Sequence, residues 1–381
     1  MKLIGAKTNF MQIGILGAGM VGRTMAIDLA KKYSVVSFDL SEKSLQLLSQ
    51  KDNSIQTIKT DLGDFNNYDS LLAPFDLVIS AVPGFMGYQT LEAIIKAKKN
   101  VVDISFFPEE ALQLDALAKQ NNVTAIVDCG VAPGMSNLIL GYYNERMLIS
   151  SFECLVGGLP VKRVKPFEYK APFSPVDVLE EYNRPARYVE NGCIVTKPAM
   201  SDTELVDFEN AGTLESFNTD GLRSLLSTMA HIPNMKEKTL RYPGHIDLMK
   251  AFFAAGFFNK QPIDYKGQLI SPMEFSSVLL FDQWKLGITE EEFTIMQIKI
   301  SDGKKNIVYD LYDTFDNETG TTSMSRTTGY TATAVLNLLA DKIFDKKGVF
   351  PPELLGKEES CFTYIIAYLR ERNVIYKKTE N

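Results

Sequence analysis

Three glycines and one aspartate near the start of the chain have the types and spacing of a nucleotide-binding site. Gly17, Gly19 and Gly22 form a G-x-G-x-x-G pattern directly after the apolar run Ile13–Leu16. In this pattern the first glycine permits a tight turn, the second lets a pyrophosphate approach the backbone, and the third lets a helix pack closely on a strand. Asp39 follows Gly17 by 22 residues, where its carboxylate can accept hydrogen bonds from an adenosine ribose. The segment predicts a dinucleotide-binding site.

The same segment predicts which dinucleotide binds. Met20 and Val21 open a helix whose free N–H groups and positive dipole end would face the phosphates. The Asp39 carboxylate would repel a ribose 2′-phosphate, and residues 40–42 (LSE) offer no arginine to receive one. NAD is therefore predicted rather than NADP, with Lys43 as the one following cation that could favour NADP.

Further cofactor contacts are expected at the ends of the later strands. Ligands of a parallel sheet bind at the carboxyl ends of its strands, near the switch point of the strand order. The candidates at these ends are Asp61, Leu62, Val82, Pro83, Gly84 and Ser105. Two simpler interpretations stay open: Asp61 could cap the next helix, and Pro83–Gly84 could form an ordinary turn.

Polar side chains further along the chain could hold a substrate. Arg241 and Arg326 could each clamp a carboxylate with two parallel hydrogen bonds, or could be surface or ion-paired arginines. His245 follows a Pro-Gly turn and could position or deprotonate an amine, or could be structural. Asp128 and Asp103 could be acids of the active site, or buried caps. Further candidate substrate contacts are Tyr169, Asn218 and Thr327.

Length and composition limit the class of protein. The 381 residues suffice for two domains, and 45% hydrophobic with 23% charged residues is typical of a globular protein. A net charge of −7 argues against a nucleic-acid-binding surface. The longest apolar run, Ala251–Phe258 (AFFAAGFF), is too short to span a membrane, and we predict it to be a buried helix.

Cysteine and histidine usage gives no support for a metal site. The four cysteines show no C-x-x-C spacing, and there are two histidines. Reduced thiols in the cytoplasm are the simplest interpretation. Residues 1–10 lack the apolar core and cleavage site of a signal peptide, so they are either a native extension or an expression remnant.

The order of predicted elements indicates an α/β fold. From Met11 to about Asn137 short apolar strands alternate with amphipathic helices, which implies right-handed crossovers and a Rossmann-type, doubly wound parallel sheet. The predicted strands are 12–16, 34–39, 55–59, 76–82, 100–104 and 123–128. A helix is predicted to begin near Ser136 or Asn137.

The pattern changes over 138–322, where we predict an α+β substrate-binding and dimerisation domain. Antiparallel strands are expected over 151–156, 188–196 and 203–208, with a hairpin of 293–301 and 305–313. Ser174–Pro175 is predicted to open a helix. Residues of about 323–356 are expected to pack back on the first domain, and 357–381 to form a C-terminal helical tail.

Five short stretches follow one another along the chain: DCGVAPGMSN at 128–137, VGGLP at 156–160, RPAR at 184–187, TDGLRSLL at 219–226 and GVFPPELLG at 348–356. In this order they resemble the saccharopine dehydrogenase-like superfamily, and most closely its NAD-dependent lysine 6-dehydrogenase branch. Saccharopine reductases typically carry D-P-G where this chain has Ala132–Pro133–Gly134. The resemblance therefore favours the lysine branch over a saccharopine or carboxynorspermidine substrate.

The resemblance implies an enzyme that moves a hydride from the carbon of a primary amine to NAD. The resulting iminium would hydrolyse to an aldehyde and ammonia, and the expected substrate is the ε-amine of L-lysine. It also implies a homodimer or a dimer of dimers, with substrate in the cleft between the domains. Two alternatives stay open: a reductase of the same superfamily that condenses an amine with an aldehyde, and a catalytically silent NAD-binding sensor or assembly protein.

Overall fold

A computed structural model of the chain describes residues 11–173, 175–287 and 289–380. The expectations for residues 1–10 and for Ser174 concern positions outside these ranges. The chain divides into two compact units. The first holds the residues up to Val127 together with Ala332–Phe350, and the second holds Asp128–Thr331 together with the residues from Pro351 onward. The boundary between the units after Val127 thus lies ten residues before the predicted boundary at Asn137. The later segment that belongs to the first unit, Ala332–Phe350 and here called the returning segment, is shorter than the predicted 323–356.

The first unit is built on a parallel sheet. Its strands are β1 (Gln12–Leu16), β2 (Ser34–Asp39), β3 (Gln56–Lys59), β4 (Leu77–Ser80), β5 (Asn100–Asp103), β6 (Thr124–Ile126) and β17 (Gly348–Phe350). Its order is β17-β6-β5-β4-β1-β2-β3, with parallel pairing throughout. The predicted Rossmann-type sheet is confirmed, and its switch point lies between β1 and β4.

Helices connect these strands in the predicted alternation. They are α1 (Met20–Ala30), α2 (Glu42–Lys51), α3 (Tyr68–Leu72), α4 (Gly84–Lys96) and α5 (Asp115–Gln120). Ser41 caps α2 by accepting a hydrogen bond from the Ser44 N–H at 3.2 Å, and the α1 residues Met25 and Leu29 are buried against the sheet. The apolar runs of β1 and β4 are almost fully buried, which explains why they were recognisable in the sequence.

The returning segment is held to the first unit by specific polar contacts. The Tyr33 hydroxyl donates to Asn337 at 2.7 Å, and the Thr333 hydroxyl donates to the buried Asp28 at 2.8 Å. The strand β17, which the sequence analysis did not predict, extends the sheet beside β6. Residues far apart in sequence therefore complete one core.

The second unit contains a mixed sheet of order β10-β11-β12-β7-β15-β16-β18. Its strands are β7 (Ser151–Pro160), β8 (Ala186–Glu190), β9 (Cys193–Lys197), β10 (Glu204–Phe208), β11 (Gly212–Asn218), β12 (Met235–Arg241), β15 (Glu292–Ser301), β16 (Asn306–Thr314) and β18 (Tyr376–Glu380). Pairing is antiparallel except between β12 and β7. The strands β8 and β9 form a hairpin, and β8 also pairs with β12. A separate hairpin consists of β13 (Ile263–Tyr265) and β14 (Gln268–Ile270).

The helices of the second unit surround this sheet. They are α6 (Met135–Asn144), α7 (Pro175–Asn183), α8 (Leu225–Thr228), α9 (His245–Ala254), α10 (Pro272–Trp284), α12 (Pro352–Gly356) and α13 (Glu359–Glu371). The helix α11 (Ser323–Ala340) contributes its first half to this unit and its second half to the first unit.

Three expectations for the second half of the chain differ from the structure. The single strand predicted over 188–196 is a hairpin, because Asn191 and Gly192 adopt positive φ and turn the chain. The predicted helical tail over 357–381 ends in β18, which pairs with β16. The prediction of a buried helix over 251–258 is wrong: α9 ends at Ala254, and Phe253 and Phe257 are about half exposed.

Within the described ranges, the helices lack the combination of length and apolar character that crossing a membrane requires. Cys129, Cys154 and Cys361 are buried free thiols, and Cys193 is an exposed one.

Candidate functional site

The glycine turn of the first unit has the geometry that a bound pyrophosphate needs. Gly17 has a φ of 113°, and a Cβ there would lie 2.5 Å from the Ala81 carbonyl oxygen. A Cβ on Gly22 would lie 2.1 Å from the Gly17 carbonyl oxygen. A Cβ on Gly19 would meet nothing within 4 Å. Packing thus requires the first and third glycines, whereas the second faces open space where a ligand can approach.

Asp39 is tied to this turn. One carboxylate oxygen accepts a hydrogen bond from the Ala18 N–H at 2.7 Å, and the other accepts from the Ser41 N–H at 2.7 Å. Each oxygen keeps lone pairs for further donors, and the side chain is only partly buried. The structure therefore places an acceptor suited to ribose hydroxyls beside the glycine turn.

A cation near Asp39 escaped the sequence analysis. Arg23, in α1, donates to the Ala18 carbonyl oxygen at 3.0 Å. Burial lowers the pKa of Arg23 and the charge of Asp39 opposes that shift. Lys59 stands opposite Asp39 in the pairing of β2 with β3. Arg23 lies one helical turn after Gly19 and well before Asp39 in the sequence, so the residues that follow Asp39 gave no sign of it.

The other predicted cofactor contacts lie after β3, β4 and β5. Asp61 accepts the Gly63 N–H at 2.9 Å and so forms an Asx turn before the short helix at Phe65–Asn67, whose N-cap is Asp64. Leu62, Val82 and Ser105 are at most 7% exposed, so these residues would contact a ligand mainly through their backbone.

Pro83, Gly84 and Ser105 also contribute to the local structure after β4 and β5. Pro83 and Gly84 form the start of α4. The Ser105 hydroxyl donates to Asp103 at 2.9 Å, and both side chains are buried. Asp103 thus fixes the turn after β5, as the capping interpretation expects.

Arg241, at the end of β12, is 2% exposed and forms hydrogen bonds to residues of its own unit. Its Nε donates to the Tyr182 hydroxyl at 3.1 Å, and one Nη donates to Glu181 at 2.9 Å. The other Nη donates to the Leu240 carbonyl oxygen at 3.0 Å. The guanidinium lies 4.4 Å from the ring centroid of Tyr169, whose hydroxyl has no partner among the described residues. The structure brings two predicted substrate residues, Arg241 and Tyr169, into one buried cluster.

His245 belongs to the same cluster. Its Nδ1 lies 2.9 Å from the Phe167 carbonyl oxygen, and its Nε2 lies 2.9 Å from the Tyr182 hydroxyl. Because a carbonyl oxygen can only accept, we assign the proton to Nδ1, which leaves Nε2 as acceptor. Burial, reinforced by the charge of Arg241, lowers the pKa of His245 to about 3. This arrangement favours the structural interpretation over a base that titrates near neutral pH.

The two candidate arginines do not share one ligand. Arg326 donates to Asp313 through Nε and Nη2 at 3.2 Å each and to Asp316 through Nη1 at 3.1 Å. The β12–β7 register ends at Thr239 paired with Val156. Extended by two residues, it aligns Arg241 with Asp313 across three strand spacings, about 14 Å. Between them, a Cβ on Gly158 would lie within 2.8 Å of Pro172 and Met324 side-chain atoms. Packed side chains therefore fill the intervening space.

The remaining predicted residues also have internal partners. Asp128 accepts from Arg223 at 2.9 and 3.0 Å, and both side chains are at most 7% exposed. The Thr327 hydroxyl donates to the Ser323 carbonyl oxygen within α11 at 3.0 Å. The Asn218 amide donates to the Ser201 hydroxyl at 3.0 Å and to the Asp202 carboxylate at 3.1 Å.

Glu237 is a buried acid that the sequence analysis did not single out. It is 4% exposed, and its Oε2 has no hydrogen-bond partner in the described part of the chain. Burial raises the pKa of Glu237 to about 8, with smaller contributions from neighbouring carboxylates. In the sequence it stands in MKEKTLR, where alternation would have placed it on the same face as Arg241.

Comparison with known proteins covers both units. Residues 13–126 match the saccharopine dehydrogenase NADP binding domain, and residues 130–375 match the saccharopine dehydrogenase C-terminal domain. The rat mitochondrial alpha-aminoadipic semialdehyde synthase is 24% identical over 282 residues, which cover 70% of this chain and 30% of that protein. This chain therefore spans about a third of the length of such relatives.

Two further matches extend over nearly the whole chain. The carboxynorspermidine synthase of Vibrio alginolyticus is 24% identical, with 91% of this chain and 93% of that protein covered. The apo saccharopine dehydrogenase (L-Glu forming) of Saccharomyces cerevisiae has a TM-score of 0.77 at 20% identity, over 97% of this chain and 100% of that one. The last comparison concerns the fold alone. Because the C-terminal domain match alone covers more than half of its residues, the chain belongs to the saccharopine dehydrogenase family.

Proposed function

We propose that the protein is an NAD-dependent amino-acid dehydrogenase that oxidises a CH–NH2 carbon, with the ε-amine of L-lysine as its substrate. The observation that carries the proposal is the open glycine turn joined to Asp39 through the Ala18 N–H. That turn fits a dinucleotide, and the family match supplies the amine or amino-acid class of substrate. Ala132, where saccharopine reductases typically carry an aspartate, supports the lysine branch.

The cofactor, when bound, supplies the acceptor for a hydride. Met20, Val21 and the open face of Gly19 would receive the pyrophosphate, and Asp39 would accept the ribose hydroxyls. The substrate amine must be neutral before its carbon can release a hydride. Loss of the hydride leaves a substrate iminium, which water converts to an aldehyde and ammonium. The protein contributes by holding the substrate carbon in position.

The second unit supplies the candidate substrate groups. Asp128, Arg241, Tyr169 and Asn218 are buried in this unit, where the exclusion of water strengthens each polar contact. Since the Arg241 guanidinium already donates hydrogen bonds to Glu181 and Tyr182, we propose that Arg241 orients this cluster. His245 would position Tyr182 in the same way.

A second candidate function is an NADP-dependent reductase that joins an amine to an aldehyde. Arg23 beside Asp39 favours it, because an arginine can receive a 2′-phosphate. The matched domain is named for NADP, and one relative is a carboxynorspermidine synthase. A catalytically silent NAD-binding protein is the third candidate, and tight NADH binding without turnover would support it.

We further propose a cytoplasmic homodimer, which could pair again into a dimer of dimers. We propose that eight large apolar side chains between 253 and 279, which are 48–77% exposed, form one face, here called the apolar face. They are Phe253, Phe257, Ile263, Tyr265, Leu269, Phe275, Val278 and Leu279. Together they expose on the order of 900 Å², close to the roughly 800 Å² that each partner buries in a stable interface. We assign this face to a second copy of the chain.

An amino-acid panel with NAD and with NADP, followed by nicotinamide absorbance, tests the proposed reaction. Reduction of NAD by L-lysine supports the dehydrogenase. NADPH consumption that requires both an amine and an aldehyde supports the reductase.

A further inference from the structure

One oxygen of a buried acid in the second unit is left without a donor. Glu237 lies in the middle of β12, is 4% exposed, and has an Oε2 that accepts no hydrogen bond from the described residues. Buried polar atoms in native proteins are nearly always hydrogen-bonded to protein, water or ligand. The free Oε2 therefore marks a position for a donor from outside the chain.

The carboxyl group of Glu237 is held in a fixed place. A Cβ on Gly221 would lie 1.7 Å from its Oε1, so the carboxyl group packs directly on the backbone of Gly221. Cys154 of β7 stands opposite Glu237 in the strand register. The carboxyl group is thus confined by its close packing on Gly221.

The surroundings of Glu237 are rich in carboxylates. Glu181, Asp220 and Asp128 all disfavour its ionisation, and Arg223 favours it. Burial raises the pKa of Cys154 and of Tyr188, and Glu237 adds to both shifts. The three other acids each contact an arginine: Glu181 with Arg241 at 2.9 Å, Asp220 with Arg187 at 2.8 Å and Asp128 with Arg223 at 2.9 Å. Arg184 adds positive charge near Asp220.

Glu237 differs from these acids because its Oε2 has no hydrogen-bond partner among the described residues. An arginine neutralises each of the three neighbouring carboxylates, so the preference for a ligand rests on the Oε2 of Glu237. An ionised carboxyl group forms its strongest hydrogen bonds with cationic donors. The site therefore favours a positively charged donor.

We infer that Glu237 binds a primary ammonium group of the substrate, namely the amino group that is not oxidised. The identity of the ligand as an amino acid rests on the proposed function. The oxidised amine must lose its charge before hydride transfer, whereas an ammonium held by an ionised carboxylate stays charged. For L-lysine the group bound by Glu237 is thus the α-ammonium.

Binding must release a proton at neutral pH. The free protein holds Glu237 in its acid form, because burial raises the pKa of Glu237 to about 8. When the ammonium arrives, the carboxyl O–H bond breaks, the proton leaves to solvent, and the carboxylate pairs with the ammonium. At pH 7 close to one proton is released for each ligand bound.

Isothermal titration calorimetry of the NADH-saturated protein with L-lysine tests this inference without turnover. Titrations at pH 7 in buffers of different ionisation enthalpy count the protons released. We expect L-lysine to release close to one proton more than 6-aminohexanoate, which lacks the α-amino group, because any proton lost by the oxidised amine is common to both ligands. Equal proton counts for the two ligands, or none for L-lysine, would overturn the inference.

Two variants test whether Glu237 is the group that releases the proton when lysine binds. Glu237→Gln should weaken lysine binding at least tenfold and abolish proton release. Glu353→Gln is the matched control: Glu353 is also fully buried, but Asn137 donates to it at 3.0 Å and Thr228 at 2.6 Å. The control should keep wild-type affinity and proton release. If Glu237→Gln binds lysine as tightly as wild type, Glu237 is not the acceptor.

These results are separable from those on the proposed reaction. Proton-linked lysine binding without NADH formation would overturn the proposed function and leave the site intact. NADH formation from lysine with no proton release on binding would support the proposed function and overturn the inference about Glu237.

Discussion

The Asp39 carboxylate accepts the N–H of Ala18 at 2.7 Å, so the residue predicted to read the ribose also shapes the glycine turn. Asp39 lies at the end of β2 and Ala18 in the turn after β1. One acid therefore couples the two halves of the cofactor site. Its replacement is expected to affect the position of the turn as well as the contact with ribose.

Replacing Asp39 with Ser should raise the KM for NAD at least tenfold and narrow the preference for NAD over NADP. A hydrogen bond to a charged group contributes about 1.5–3 kcal/mol, and the variant removes the charge that repels a 2′-phosphate. Initial rates with both cofactors measure the effect, with exposed Glu42→Ala as the control. An unchanged ratio of kcat/KM values for NAD and NADP would remove Asp39 from the cofactor site.

Two glycine variants should separate binding from folding. Gly19→Ala adds a Cβ that meets no protein atom within 4 Å at an ordinary φ of −63°, so the free energy of unfolding should change by less than about 0.5 kcal/mol. Its affinity for NADH should nevertheless fall at least tenfold. Gly22→Ala places a Cβ 2.1 Å from the Gly17 carbonyl oxygen and should destabilise the protein by about 1–3 kcal/mol or more. Tight NADH binding by Gly19→Ala would contradict the assigned phosphate position.

His245 should make the second unit sensitive to acid. Its pKa is about 3 when folded and about 6.5 when unfolded, so between these values the unfolded state binds a proton that the folded state does not. Stability is therefore lost as pH falls from about 6.5 towards 3, by about 1.4 kcal/mol per pH unit. Chemical denaturation of His245→Gln should lack this component, whereas exposed His231→Gln should keep it. Equal acid slopes for His245→Gln and wild type would exclude this role.

The apolar face should control the oligomeric state. Val278→Glu, at a position 69% exposed, should convert a dimer into monomers, because it puts a charge inside the interface. Leu205→Glu, at a comparable exposure of 68% on β10, should leave the dimer unchanged. Light scattering after size-exclusion chromatography distinguishes these masses. A monomeric wild type would exclude the proposed dimer.

Local patterns predicted much of the fold. The bounds of β1 and β2 follow from apolar runs beside the glycine turn. The short strand β17 could not be predicted from local sequence, because only its pairing with β6 makes it a strand. The exposure of Phe253 and Phe257 likewise depends on where α9 ends.

The candidate site was less predictable because its side chains act through distant partners. The sequence around Arg326 gives no sign that Asp313 and Asp316 occupy its guanidinium. Glu237 stands between two lysines and resembles a surface charge, yet the sheet buries it. Arg23 was missed because its proximity to Asp39 requires the turn between β1 and α1.

The most direct test of the account is incubation of the purified protein with L-lysine and NAD. We expect NADH and ammonia to form in equal amounts, at a higher kcat/KM with NAD than with NADP. Failure of L-lysine to reduce NAD, together with NADPH consumption that depends on an added amine and aldehyde, would contradict the account and assign the protein to the condensing reductases.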